Sequence, residues 1–102
     1  MIDLVKQREA ELVELCHKHH VKRLDIFGSA ADGSFKPGES DLDFVVDYLP
    51  LASGQRFRVY FGLLADLEDL FGLKIDLVME RAIKNPYFRK GVEQTRQVIY
   101  AA

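Results

Sequence analysis

Gly28-Ser29-Ala30-Ala31-Asp32-Gly33, followed after a short loop by Ser40-Asp41-Leu42-Asp43-Phe44-Val45-Val46, is the stretch on which the reading of this chain turns. It sets a turn of small residues just before two carboxylates at alternate positions of an apolar run. Alternate residues of a strand point the same way, roughly 7 Å apart. Asp41 and Asp43 are therefore expected side by side at the start of a strand. Two carboxylates on one face repel, and a divalent cation is the natural neutraliser. Free backbone amides in a Gly-Ser turn beside such a cation can hold the oxygens of a phosphate.

The chain organises outward from this point. Val21 to Phe27 reads as the preceding strand, with Leu24 and Ile26 facing one way and Arg23, Asp25 and Phe27 the other. Before it, Asp3 to about His20 reads as one helix, with Asp3 as its N-cap and Leu4, Val5, Leu12, Leu15 and Cys16 on its apolar face. Lys36-Pro37-Gly38 is a loop, and Leu42 to Tyr48 the second strand. Pro50 stops that strand. A long helix then runs from Gln55 to Phe71, with Gly72 as its stop. Its apolar face is wider than one packing stripe needs. Leu73 to Met79 reads as the third strand, Asn85-Pro86 opens a final helix to about Glu93, and Gln97 to Tyr100 reads as a terminal strand. Strands separated by helices imply a layered α/β arrangement.

Asp76 lies within Lys74-Ile75-Asp76-Leu77-Val78, a carboxylate inside an otherwise apolar strand. Unpaired, it would be costly to bury. If its strand neighbours that of Asp41 and Asp43, three carboxylates converge and can hold two magnesium ions. Asp76 would then serve the attacking hydroxyl, as a metal ligand or a proton acceptor.

The bulk composition is compatible with such a site. The chain has 102 residues, 48% hydrophobic and 29% charged, with formal net charge -2. That is enough for one core, so a single domain over residues 1–102 is expected. The charge balance gives no strong nucleic-acid signal. The single Cys16 fits a reducing, cytoplasmic setting. No apolar run approaches a bilayer span, and the N-terminus lacks the apolar core of a secretory signal.

Gly-Ser, a run of small residues, Ser-Asp-x-Asp with an apolar tail, and a later lone Asp in a strand together resemble the polymerase-β-type nucleotidyltransferase superfamily. Ile75-Asp76-Leu77-Val78, then Ala82-Ile83 and Pro86-Tyr87-Phe88-Arg89, are similar to its minimal nucleotidyltransferase (MNT) branch. The resemblance covers nearly the whole chain. It implies a small mixed sheet with helices mainly on one face, magnesium, and ATP as substrate. By position it implies that Gly28 and Ser29 meet the β- and γ-phosphates, and that Asp41, Asp43 and Asp76 hold metal and form the catalytic set. It also implies an antitoxin that moves AMP onto a tyrosine of a HEPN-domain ribonuclease toxin encoded nearby, as a hetero-oligomer or as a homodimer. One position departs: the family usually has Gly-Ser-x-Ala-Arg-Gly, and here Asp32 stands where that Arg is expected, an anion beside the phosphates.

The remaining residues have plainer readings. Gly28 to Gly33 matches G-x-x-x-x-G, but Ser34-Phe35 replaces the Lys-Ser/Thr of a P-loop. Asp47 is expected at a solvated strand end, and Asp25 is ambiguous. His17, His19 and His20 are expected to serve the helix C-terminal dipole rather than a metal. Cys16, Phe57, Tyr60 and Phe61 are expected in the core, with the wide face of the long helix as a docking surface. Lys84, Arg89 and Lys90 are expected on a solvated face. Two rivals to adenylyl transfer stand beside it: a binding module that neutralises its partner by association, and an enzyme acting on a small molecule or RNA end.

Overall fold

Alternation of Leu24 and Ile26 with Asp25 and Phe27 produces the central strand of a four-stranded sheet. The computed structural model describes residues 1–102. Its elements are α1 (Asp3–Lys6), α2 (Glu9–Lys18), β1 (Val21–Phe27), α3 (Ser29–Asp32), β2 (Leu42–Tyr48), α4 (Gln55–Phe71), β3 (Ile75–Met79), α5 (Pro86–Thr95) and β4 (Gln97–Ala101), with a 3-10 turn at Glu80–Ala82. The sheet order is β3-β2-β1-β4. β1 is antiparallel to both β2 and β4, whereas β2 and β3 are parallel. Helix α4 supplies the crossover that a parallel pair requires. Gly72, at φ +63°, ends it by donating its N–H to the Glu68 carbonyl at 2.8 Å.

The two faces of the sheet differ in cover. Leu24, Ile26, Leu42, Phe44, Val46, Ile75 and Leu77 pack against Val5 of α1, Leu12 and Cys16 of α2, and Val59, Leu63 and Leu67 of α4. Each fully buried Leu, Ile or Phe there contributes about 1.5–3 kcal/mol. The opposite face carries Phe27 and Val45 against Ile83 and against Val92 of α5. The result is the small mixed sheet with helices mainly on one face that the resemblance implied. Helix α5 starts where Asn85-Pro86 places it: the Asn85 Oδ1 accepts the N–H groups of Tyr87 at 2.8 Å and Phe88 at 3.1 Å.

Four local expectations change. The first helix is broken at Gln7-Arg8, because α1 is drawn aside to bury Val5 and to let Ile2 donate its N–H to the Ala30 carbonyl at 3.0 Å. Ile2, not Asp3, occupies the cap position, and Asp3 lies in the first turn. β3 begins at Ile75 rather than Leu73, where the ladder with Leu42 begins. Phe57 and Phe61, expected in the core, are 76% and 57% exposed. They stack on the outer side of α4 with ring centroids 6.4 Å apart, while Val59, Leu63 and Leu67 take the inner side. A 17-residue helix whose apolar residues spread wider than one packing stripe can bury only part of that face against a sheet.

Candidate active site

Register brings the carboxylates together. Asp43 of β2 pairs with Asp76 of β3 on one side and with Phe27 of β1 on the other. Residues in register across a ladder share a face, so Asp43 and Asp76 stand on the face opposite α2 and α4. Asp41 lies just ahead of β2, at the same end of the sheet. Gly28, at the end of β1, closes over this row: at φ +70°, a Cβ on it would lie 2.6 Å from Asp43 Oδ2. Only glycine allows so close an approach in that backbone conformation. Ser29 follows as the first residue of α3.

The electrostatics follow from the crowding. Burial, then Asp76, then Asp41 push the Asp43 carboxyl up to about 6 from its usual 3.8. Asp76 is exposed and Asp41 half-buried, with Asp41 Oδ2 turned to Lys74 Nζ at 3.6 Å. No three His, Cys, Asp or Glu side chains are gathered as closely as a metal ion requires. The donor set nonetheless suits magnesium: three hard carboxylates at one end of the sheet, one of them made costly to ionise by burial and then by the other two. Bringing Asp41 to join Asp43 and Asp76 means releasing Lys74, which is 79% exposed and weakly held.

Behind this row lies an ion network that the sequence reading did not assign. Asp25, fully buried, accepts two hydrogen bonds at 2.9 Å from Arg23 and one at 2.6 Å from Arg96 Nε. Arg96 also meets Glu93 at 2.7 Å and Glu80 at 3.2 Å. Burial opposes the Arg96 charge, but hydrogen bonds to Glu80, Asp25 and Glu93 outweigh it and push its pKa up. Arg89, expected on a solvated face, reaches Glu80 and the Ile83 carbonyl. Thr95, next to Arg96, accepts the Gly28 N–H at 2.9 Å. The Gly28 amide, expected to be free for phosphate, thus has a partner already. A carboxylate within a strand and an arginine after the last helix were the available signals.

The other expectations resolve simply. Asp32 is exposed, and hydrogen bonds from Ser34 Oγ and then Ser34 N hold its pKa below the usual range. Asp47 lies 3.7 Å from Arg81 at the far end of β2. His19 is buried and donates from Nε2 to Asp66 at 2.7 Å, joining α2 to α4 rather than serving a metal. Cys16 is buried in the core as expected, and Tyr60 donates its hydroxyl to the Leu77 carbonyl at 2.6 Å. No helix is long and apolar enough to cross a membrane.

Known proteins share this fold. The sequence profile of the family described as "Nucleotidyltransferase domain" matches residues 10–99. A Methanocaldococcus jannaschii protein, provisionally named a protein adenylyltransferase, is 37% identical over 92 residues, which is 90% of this chain and 87% of its own length. A solved structure of a provisionally assigned minimal nucleotidyltransferase superposes with TM-score 0.74 at 31% identity, over 94% of this chain and 95% of that one. The complex of a tri-AMPylated Shewanella oneidensis HEPN toxin with its MNT antitoxin superposes with TM-score 0.63 at 15% identity, over 95% of this chain and 72% of that chain, a likeness of fold.

Proposed function

The chain belongs to the nucleotidyltransferase domain family, and on that premise we propose that it transfers AMP from ATP to a tyrosine hydroxyl of a HEPN-domain toxin, as the antitoxin of the pair. The observation that carries this reading is the in-register pair Asp43 and Asp76 under the Gly28 turn, with Asp43 pushed up to about 6. Kinship with a protein adenylyltransferase and a shared fold with the antitoxin of an AMPylated toxin support it.

Asp41, Asp43 and Asp76 would hold magnesium, which when bound offsets the charge of the carboxylates and of the triphosphate. The turn at Gly28-Ser29 seats the phosphate tail beside Asp43. The acceptor oxygen forms a bond to the α-phosphorus as the bond to the β-phosphate breaks, and pyrophosphate leaves. Asp76, exposed at the rim, takes the hydroxyl proton as that bond forms. The acceptor hydroxyl comes from another molecule, and the exposed, stacked Phe57 and Phe61 of α4, across the sheet from the carboxylates, are a surface on which the body of that molecule can dock.

Intact-mass spectrometry of a HEPN protein encoded beside this chain tests the reading. The toxin is co-expressed with the native chain or with its Asp41→Asn/Asp43→Asn form. The expected result is a gain of one or more AMP units with the native chain alone. A complex isolated without any mass gain would refute transfer and leave the second reading, neutralisation by association. That second reading is motivated by Asp32, an anion where the pattern of the resembled family usually has Arg.

A further inference from the structure

The Gly28 turn is set by a residue far along the chain. The Gly28 carbonyl accepts the N–H groups of Ala31 and Asp32, each at 3.0 Å. Its own N–H crosses to α5 and donates to Thr95 Oγ at 2.9 Å. The Thr95 hydroxyl proton goes to the Gly91 carbonyl at 3.2 Å. A hydroxyl has one proton to give, so Thr95 Oγ faces Gly28 as an acceptor with its rotation fixed. The next residue anchors this helix end: Arg96 meets the fully buried Asp25 at 2.6 Å and Glu93 at 2.7 Å. The peptide that Thr95 grips is the one whose approach to Asp43 tolerates no Cβ. A small rotation of that peptide would carry Gly28 either into the Asp43 carboxylate or away from it.

We infer that Thr95 is a positioning residue for adenylyl transfer: its hydroxyl holds the Gly28-Ser29 turn against Asp43 in the form that receives the triphosphate. This rests on the adenylyl-transfer reading above. The effect belongs to nucleotide binding and not to the acceptor, because the hydrogen bonds of the Thr95 hydroxyl run to the turn and to its own helix.

Three variants test it. T95V keeps the shape and loses the acceptor, T95S keeps the hydroxyl, and T95A supplies the first arm again should T95V fail to fold. Hydrogen exchange at the Gly28 amide, followed by NMR without nucleotide, is expected to be at least about tenfold faster in T95V than in the native chain and T95S, the factor one hydrogen bond typically governs. Steady-state AMP transfer is expected to show KM for ATP raised roughly tenfold in T95V, KM for the acceptor unchanged, and T95S restored to within about twofold. Faster Gly28 exchange with an unchanged KM for ATP would make the contact merely structural and overturn the inference. A lower KM for ATP would overturn it differently, by showing that Thr95 competes with phosphate for the amide. Equal loss in T95S and T95V would show that the effect does not follow the hydroxyl and overturn it as well. A native chain that neither binds ATP nor transfers AMP would overturn the adenylyl-transfer reading itself, whereas T95V matching a native chain active on ATP defeats only the role of Thr95.

Discussion

Replacing Asp43 with Asn should abolish AMP transfer and, without metal, make the protein more stable. The rise of its carboxyl from 3.8 to about 6 means that the folded state disfavours the ionised form. At 1.36 kcal/mol per pH unit this sets a ceiling of about 3 kcal/mol. Asp43 is only half-buried, and solvent screening reduces the penalty to about 1 kcal/mol. The sign follows from a raised acid. The cost is absent below the unfolded value near 3.8, grows as pH rises through the interval, and is complete above about 6. Asn carries no charge and escapes it. Thermal unfolding in EDTA at pH 8 should therefore place Asp43→Asn about 4–8 °C above the native chain. At pH 4 the gap should narrow. Excess magnesium at pH 8 should narrow it too, by stabilising the native chain alone. A variant no more stable than the native chain at pH 8, or a gap as large at pH 4 as at pH 8, would show that Asp43 is not held in a crowded anionic site.

Asp25→Ala should cost about 3 kcal/mol in urea unfolding, because it takes from the mostly buried Arg96 the one fully buried carboxylate among its three partners; a loss below about 1 kcal/mol would mean that Glu80 and Glu93 hold Arg96 without it. Asp32→Arg should change KM for ATP by less than about threefold at physiological salt, since Asp32 points to water and is tied to Ser34; a tenfold improvement would show that its charge reaches the phosphates. Phe57→Glu with Phe61→Glu should leave stability within about 0.5 kcal/mol, as exposed substitutions do, and weaken toxin binding at least tenfold by calorimetry; an unchanged affinity would move the docking surface elsewhere.

The residues differ in how far sequence alone could place them, and the difference has one physical source. Period-two alternation revealed β1 and β2, and an Asp interrupting an apolar run revealed Asp76, because those signals are local. That Asp43 and Asp76 stand in register needs the parallel pairing of β2 with β3 across α4, which alternation allows but does not dictate. Phe57 and Phe61 were misplaced for a related reason: an apolar residue on a helix states a preference for burial, and the area of the partner surface decides which residues obtain it. Asp25 and Arg96 lie 71 residues apart, and Thr95 lies 67 from Gly28. Neither pair leaves a spacing rule in the chain, because the meeting of α5 with β1 depends on how all the elements between them are arranged. Such contacts are also the ones able to set a turn to within a fraction of an ångström. A catalytic pair can be announced by two residues and a strand, whereas the support that aligns it must come from a second element braced independently of the first. Here that element is α5, anchored through Arg96 to a buried carboxylate of β1 and, one residue earlier, through Thr95 to the turn that β1 leads into.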